Sequence, residues 1–174
     1  LATLIQQQGN MIQTGFVGTP YILHVLSRYG HTELAYDLLL RKEYPSWLYS
    51  VNHGATTIWE HWDGVKEDGT FWSDDMNSYN HYAYGSVYDW IFGVAAGIKV
   101  LPDGAGYKHI SIKPHTDKRL GFLKAEIETR QGKLSSYYET HPGSLMTVDF
   151  RYKDSEIYTL RVGFGKKTIE AING

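Results

Sequence analysis

The chain has 174 residues and a formal net charge of −2, from 17 Lys and Arg against 19 Asp and Glu. This near balance argues against a general nucleic-acid binder, which needs a basic face. Cysteine is absent, which excludes disulfide scaffolds, thiolate zinc sites and cysteine nucleophiles. Aromatic residues make up 14% of the chain, an excess that favours either ring-stacking ligands, such as sugars or bases, or an aromatic-rich core.

Helical periodicity dominates the first half of the chain. Thr19, followed by proline, has the residue type of a helix N-cap, and Gly30 fits the end of a helix. We therefore predict a helical hairpin over residues 19–43, and the apolar spacing of residues 79–98 predicts a further long helix. The stretch 44–78 between them is rich in loop signals and holds all but one of the five tryptophans. Loops on a rigid scaffold are where functional sites usually lie.

Beyond residue 102 the apolar period changes to two. Leu123, Ala125 and Ile127 alternate with charged residues, and further alternating segments follow between turn signals such as His141-Pro142-Gly143. This pattern predicts an antiparallel β module with one buried face. The fold class is therefore α+β, with a helical domain at residues 1–102 and a β domain at residues 103–174.

Neither end of the chain carries the signals of a natural terminus. The first residue is not Met and no signal-peptide pattern follows it. The last two residues, Asn173-Gly174, form a strong hairpin-turn signal with no strand after it. We expect a fragment of a longer protein whose cellular compartment stays open. No apolar run is long enough to cross a membrane.

The densest group of reactive residue types lies at residues 54–64. Glu60 stands between Trp59 and Trp62, and indole rings desolvate a carboxylate in a way that favours its neutral form. Such an environment suits a general acid or base, and the rings offer apolar faces to a sugar. In the alternative interpretation, both tryptophans belong to the core and Glu60 pairs with His61 or a surface lysine. Spacing alone leaves both interpretations open.

A second polar cluster lies at residues 76–85. Asn80, His81 and their neighbours offer many hydrogen-bonding groups, and such groups orient hydroxyl-rich ligands at a pocket wall. The alternative is that Asn77 or Ser78 caps the following helix and that His81 is a satisfied core histidine. The spacing of the eight histidines predicts no metal site.

Together with Val94-Ala95-Ala96-Gly97-Ile98, four earlier segments resemble the C-terminal part of bacterial α-L-rhamnosidases of glycoside hydrolase family 78. They are Thr14-Gly15-Phe16-Val17-Gly18-Thr19, Pro45-Ser46-Trp47-Leu48-Tyr49, Gly54-Ala55-Thr56-Thr57-Ile58-Trp59-Glu60 and Met76-Asn77-Ser78-Tyr79-Asn80-His81-Tyr82-Ala83. The resemblance implies that the helical half is the end of an (α/α)6 barrel and that the β half is most of an antiparallel β-sandwich. It also implies hydrolysis of terminal α-L-rhamnose with inversion of configuration.

The resemblance assigns roles to several residues. Glu60 matches the general base, and His81 matches a position that contacts the rhamnose. Trp59, Trp62 and Asn80 are candidates for the walls of the sugar pocket. The general acid belongs to an acidic motif upstream, which these 174 residues do not contain, and no cofactor or metal is expected. The sequence departs from the family pattern at one nearby position. The residue after Glu60 is His61, where the family more often has Arg, and this puts the orientation of Glu60 in doubt.

Two consequences and three alternatives follow. Without its general acid, the chain by itself should have negligible activity. Helices that lack their barrel neighbours should either promote self-association or be covered in a compact core with the β-sandwich. The first alternative is a non-catalytic carbohydrate-binding module in which Glu60 only accepts a hydrogen bond. The second is another (α/α)6 glycosidase or a uronate hydrolase, and the third is a structural domain whose aromatics are core. The aglycone and the linkage preference stay undetermined.

Overall fold

The structure, a computed structural model, describes residues 1–140, 145–152, 156–163 and 169–173, with side chains up to residue 140. The predicted turns at residues 141–143 and at the C-terminal Asn-Gly pair lie wholly or partly outside the described residues. The chain divides into two compact units, Leu1–Trp90 and Ile91–Gly174. We call them the helical unit and the strand unit. The predicted domain boundary after residue 102 stays a prediction.

Short helices build the helical unit, and irregular segments connect them. The helices are α1 (Ala2–Gln7), α2 (Thr19–Arg28), α3 (Thr32–Leu40), α4 (Trp47–Asn52), a 3-10 turn (Ala83–Ser86) and α5 (Val87–Trp90). Among the described helices of the chain, none is both long and apolar enough to span a bilayer.

Helices α2 and α3 form the predicted helical hairpin. Gly30 adopts a φ of +84° between them, which glycine reaches without steric cost. The N–H of His31 donates to the carbonyl of Leu26 at 2.8 Å and closes the turn. Apolar side chains of both helices form a core whose members are less than 7% exposed: Ile22, Leu23, Leu26, Leu34, Ala35, Tyr36 and Leu38. This hairpin is the regular frame of the helical unit.

Two predictions for the helical half were wrong, and a third was incomplete because the stretch predicted to be loop-rich also contains a short helix. Thr19 is the first residue of α2 rather than its N-cap, which is Gly18. The loop-rich stretch 44–78 contains α4, which the buried Ser46 caps by accepting a hydrogen bond from the N–H of Tyr49 at 3.0 Å. The predicted continuous helix over residues 79–98 is replaced by the 3-10 turn, α5 and a π-helix at Ile91–Ala95. Residues 79–82, the first part of the predicted helix, are not helical, and neither Asn77 nor Ser78 caps a helix.

The described residues of the strand unit form the π-helix, a 3-10 turn (Lys118–Leu120) and seven strands. These are β1 (Ile98–Val100), β2 (Ile110–Ile112), β3 (Phe122–Thr129), β4 (Gly132–Glu139), β5 (Leu145–Tyr152), β6 (Glu156–Gly163) and β7 (Ile169–Asn173). Strands β1 and β2 pair with each other, and β3 to β7 form a five-stranded antiparallel sheet in sequence order. The predicted α+β class with antiparallel strands is confirmed.

The described core of the strand unit is small. Ile98, Leu134 and Tyr138 are at most 4% exposed and pack together. The phenol of Tyr138 donates to the carbonyl of Ala95, at the end of the π-helix, at 3.2 Å. Burial alternates along β4, as the period of two predicts for a strand with one buried face.

Candidate functional site

Two segments that are distant in sequence lie side by side in the helical unit. The N–H of Glu60 donates to the carbonyl of Ser78 at 2.8 Å, and the N–H of His81 donates to the carbonyl of Ile58 at 2.8 Å. We call residues 57–60 and 78–81 the paired segments. Because their main chains bond to each other, residues 78–81 cannot continue the helix that their apolar spacing predicts. The pairing brings the two principal candidate residues, Glu60 and His81, onto adjacent backbone.

The carboxylate of Glu60 is held by the same pairing. Its Oε2 atom accepts a hydrogen bond from the N–H of Ser78 at 2.8 Å, and the side chain is half-buried. An ionised carboxylate has about four lone-pair directions, so this bond fixes its orientation and leaves acceptor capacity for a water molecule or a hydroxyl group. The segment around Glu60 is irregular rather than helical.

The imidazole of His81 is oriented by its neighbours. Its ring stacks on Phe16 with 4.5 Å between centroids and a 14° angle between planes. The N–H of Ala83 donates to Nδ1 at 3.3 Å. Since Nδ1 accepts, the proton of the neutral ring lies on Nε2. His81 therefore presents an N–H donor, which suits a sugar hydroxyl.

The structure separates the three candidates for pocket walls. Trp59 is 6% exposed and meets Tyr79 edge to face at 5.6 Å, so it belongs to the core. Trp62 is half-buried and stacks on Tyr84 with 3.8 Å between centroids. Asn80 lies at the surface, and its main-chain N–H donates to the hydroxyl of Ser78 at 3.2 Å.

A cavity of about 470 Å³ opens beside Trp62. Its described lining consists of Met11, Ile12, Gln13, Thr14, Gly15, Tyr44, Pro45, Trp62 and Tyr84, which includes neither Glu60 nor His81. The indole N–H of Trp62 donates to the carbonyl of Thr14 at 3.2 Å and so fixes the ring at the cavity wall.

Burial and negative charge act on the tyrosines of this cavity. Burial raises the pKa of the Tyr84 phenol, and the acidic groups of Tyr44, Asp63 and Glu60 add to the effect. Burial and then the charge of Asp63 raise the pKa of Tyr44. Both phenols are therefore neutral near pH 7 and can act as hydrogen-bond donors.

Phe16 and Tyr84 contact the candidate site residues, although the sequence assigns them no role. Phe16 stacks on His81, and Tyr84 lies between Phe16, at 5.5 Å, and Trp62. Both residues stand in or next to segments that carry the family resemblance, which is the one signal that marks them. Their contacts join residues that are far apart in sequence, so no local pattern indicates them.

The described part of the chain contains no group of three His, Asp or Glu side chains placed to hold a metal ion. The chemistry that this arrangement can offer rests on a carboxylate, an imidazole donor and several aromatic rings.

Comparison with known proteins divides the chain at nearly the same point as its geometry. Residues 1–95 match the model of the bacterial alpha-L-rhamnosidase 6 hairpin glycosidase domain. Residues 97–152 match the model of the bacterial alpha-L-rhamnosidase C-terminal domain. The first model alone covers more than half of the chain.

Individual relatives agree with the two family models. An alpha-L-rhamnosidase of Streptomyces avermitilis is 40% identical over 146 residues, which are 84% of this chain and 14% of that protein. The crystal structure of the Streptomyces avermitilis enzyme complexed with L-rhamnose matches 84% of this chain and 14% of its own, with a TM-score of 0.78 and 39% identity. The native enzyme of Aspergillus terreus matches 99% of this chain and 20% of its own, with a TM-score of 0.80 and 29% identity. The chain thus spans a small part of each relative.

Proposed function

This chain belongs to the bacterial alpha-L-rhamnosidase family, and we propose that it is the C-terminal portion of a longer hydrolase that removes terminal α-L-rhamnose from glycosides. In this proposal the helical unit completes an (α/α)6 barrel, and the strands form most of a C-terminal β-sandwich. The observation that carries the proposal is the pairing that sets Glu60 beside His81.

Glu60 is the general base of an inverting reaction in this proposal. Its carboxylate takes a proton from a water molecule as the water oxygen attacks the anomeric carbon of rhamnose. A second carboxyl group, supplied by polypeptide outside these 174 residues, protonates the departing glycosidic oxygen. In inverting hydrolases the two carboxyl groups lie about 6.5–9.5 Å apart, which leaves room for the water molecule. The bond from the Ser78 N–H supports this role, because it holds one carboxylate oxygen and leaves the other available.

His81 binds the sugar rather than the water. Its Nε2–H donor suits a rhamnose hydroxyl, and the stacked ring of Phe16 keeps the imidazole plane in place. A few well-placed polar groups of this kind are enough to orient a hydroxyl-rich ligand in a pocket. Among the candidates for further sugar contacts, Trp62 has the most support because it faces a cavity, whereas Asn80 lies at the surface and Trp59 is buried in the core.

The tryptophan environments favour the enzyme over a carbohydrate-binding module. A binding module needs exposed ring faces as sugar platforms. Trp59 is buried, Trp62 stacks on Tyr84, and Trp72 stacks on His61 at 3.6 Å. Each of these rings already uses at least one face within the chain.

The 174-residue chain alone is inactive and self-associates in this proposal. The general acid is assigned to polypeptide outside these residues, and apolar side chains such as Val17 at 86% and Met76 at 71% are exposed. Sedimentation velocity over a wide concentration range should show a rising sedimentation coefficient. A monomer throughout that range would contradict the self-association.

The test of the function uses the full-length protein that contains these residues. Hydrolysis of 4-nitrophenyl α-L-rhamnopyranoside is compared for wild type, Glu60→Gln and the control Glu67→Gln, an exposed glutamate of the same loop region. Loss of a general base should lower kcat by about 10²–10⁴-fold in Glu60→Gln only. Full activity of Glu60→Gln would refute its role, and turnover of other aryl glycosides but not the rhamnoside would refute the sugar assignment.

A further inference from the structure

One main-chain carbonyl group in the helical unit gathers an unusual number of donors. The carbonyl oxygen of Gly64 accepts from the side-chain amide of Asn77 at 2.9 Å, from the phenol of Tyr79 at 3.0 Å and from the N–H of Trp72 at 3.1 Å. Gly64 itself is buried. A Cβ atom at this position would lie 3.0 Å from the ring of Trp59, so the packing leaves little room for a larger residue.

The side-chain bonds among these residues define a single arrangement. The amide of Asn77 also donates to the phenol oxygen of Tyr79 at 3.0 Å. Because a carbonyl oxygen can only accept, the Asn77 atom that faces Gly64 must be the NH2 group. The Tyr79 hydroxyl then accepts from Asn77 and donates to Gly64. We call the bonds between Asn77, Tyr79 and the Gly64 carbonyl the amide–phenol clamp.

The clamp closes the loop that carries Glu60. At the start of this loop, Glu60 bonds to Ser78 through both its main-chain N–H and its carboxylate. At the end of the loop, Gly64 bonds to Asn77 and Tyr79. Both ends of the short loop are therefore tied to one stretch of three residues, 77–79. That stretch ends two residues before His81.

We propose that Asn77 and Tyr79 are positioning residues that hold the Glu60 carboxylate in place for the reaction. This inference rests on the proposed role of Glu60 as general base. Neither residue contacts the carboxylate, so both act through the loop. A catalytic group displaced by about 1 Å can lose about 10²-fold in rate, so a partial release of one end of the loop should be measurable.

A substitution that keeps the ring of Tyr79 and removes only its hydroxyl can distinguish a positioning role from a packing role. The centroid of the Tyr79 ring lies 5.6 Å from that of Trp59 and 5.9 Å from that of Phe71, and these ring contacts do not involve the hydroxyl. Tyr79→Phe therefore removes the clamp bonds of the phenol and keeps the aromatic packing. Asn77→Ala removes the amide donor from the other side of the clamp. Tyr29→Phe is the matched control, because Tyr29 is 72% exposed and lies outside the site.

The experiment is a mutant cycle in the full-length protein with 4-nitrophenyl α-L-rhamnopyranoside. Tyr79→Phe and Asn77→Ala are each measured on the wild-type background and on the Glu60→Gln background. On the wild-type background we expect kcat to fall by about 10-fold or more with KM within about 2-fold, because misplacement of a base acts on the chemical step. On the Glu60→Gln background, the same substitutions should cost no further activity, since there is no base left to position.

The remaining outcomes separate the two proposals. Equal losses on both backgrounds, or no loss on either, would overturn the positioning role while Glu60 keeps its own. Wild-type activity in Glu60→Gln itself would overturn the general base, and the positioning role with it. Thermal unfolding and L-rhamnose binding are measured on every variant. If Asn77→Ala does not fold, Tyr79→Phe decides the outcome, because it preserves every ring contact.

Discussion

Different kinds of interaction stabilise the helical unit and the strand unit, each considered by itself. Aromatic rings dominate the irregular part of the helical unit, where Trp62 stacks on Tyr84 and Phe16 stacks on His81. The strand unit relies on a regular antiparallel ladder whose exposed face carries ion pairs such as those of Glu126 with Lys124 and Lys133. Candidate reactive groups are found where the backbone is irregular, and the regular ladder contains none of them.

The difference shows how an irregular backbone can be kept in one conformation. A strand ladder satisfies its main-chain groups by repetition, whereas the paired segments around Glu60 depend on individual side chains. Large rings and specific hydrogen bonds replace the ladder there. The helical unit should therefore be sensitive to the loss of rings, and the strand unit to changes in its backbone.

The largest effect is expected from the removal of a buried ring in the helical unit. Trp90 is 1% exposed, meets Tyr36 edge to face at 5.0 Å and donates to the hydroxyl of Ser27 at 2.9 Å. Trp90→Ala should lower the free energy of unfolding by about 3–5 kcal/mol, the usual cost of such truncations in a core. Urea unfolding followed by circular dichroism measures the loss. Trp72→Ala, at a residue that is 42% exposed, is the control and should cost clearly less.

A backbone substitution should have the corresponding effect in the strand unit. Gly97 has a φ of +72°, and a Cβ atom there would lie 2.1 Å from the carbonyl carbon of Lys113. Gly97→Ala therefore adds a clash to the strain of a left-handed conformation, which alone costs about 1–2 kcal/mol. Gly106 has the same φ with no atom within 4 Å, so Gly106→Ala isolates the strain. Equal losses in the free energy of unfolding for the two substitutions would show that the backbone near Lys113 moves and relieves the clash.

The smallest effect is expected from the surface charges of the strand unit. Hydrogen bonds to Lys124 and Lys133 hold the pKa of Glu126 below its usual value of 4.5. A carboxyl group with a lower pKa in the folded state stabilises the protein above its unfolded-state pKa, and this contribution is lost as pH falls from about 4.5 through the folded-state pKa. Glu126→Gln should flatten the acid side of the stability curve slightly.

Salt provides the control for this pH effect. The difference between wild type and Glu126→Gln should disappear in about 1 M NaCl, where the screening length is about 3 Å. A difference that persists at that salt concentration would mean that Glu126 stabilises the sheet by something other than charge.

Much of the fold could be predicted from the sequence where local signals agree with the tertiary structure. The helical hairpin follows from its apolar spacing and from Gly30, and strand β3 follows from the alternation of Leu123, Ala125 and Ile127. Helix α4 was missed because its segment is short and lies in a stretch rich in loop signals, although Ser46 is a good N-cap. The predicted helix after residue 79 failed because long-range bonds take up the same main-chain groups.

The site could be predicted only in part. Glu60 and His81 stand out as residue types, and four sequence segments identify the family, a resemblance that the family models confirm. The pairing between their segments, the stacking of Phe16 and the clamp at Gly64 all join residues far apart in sequence. Such contacts have no local period, so spacing cannot indicate them.

The pH dependence of kcat/KM tests the proposed role of Glu60 as general base most directly. In the full-length protein, the rate of a base-catalysed reaction falls on the acidic side as the base becomes protonated. We predict this acidic limb for wild type and for Glu67→Gln, and its absence from the residual activity of Glu60→Gln. An acidic limb that persists unchanged in Glu60→Gln would contradict the account, because another group would then be the base.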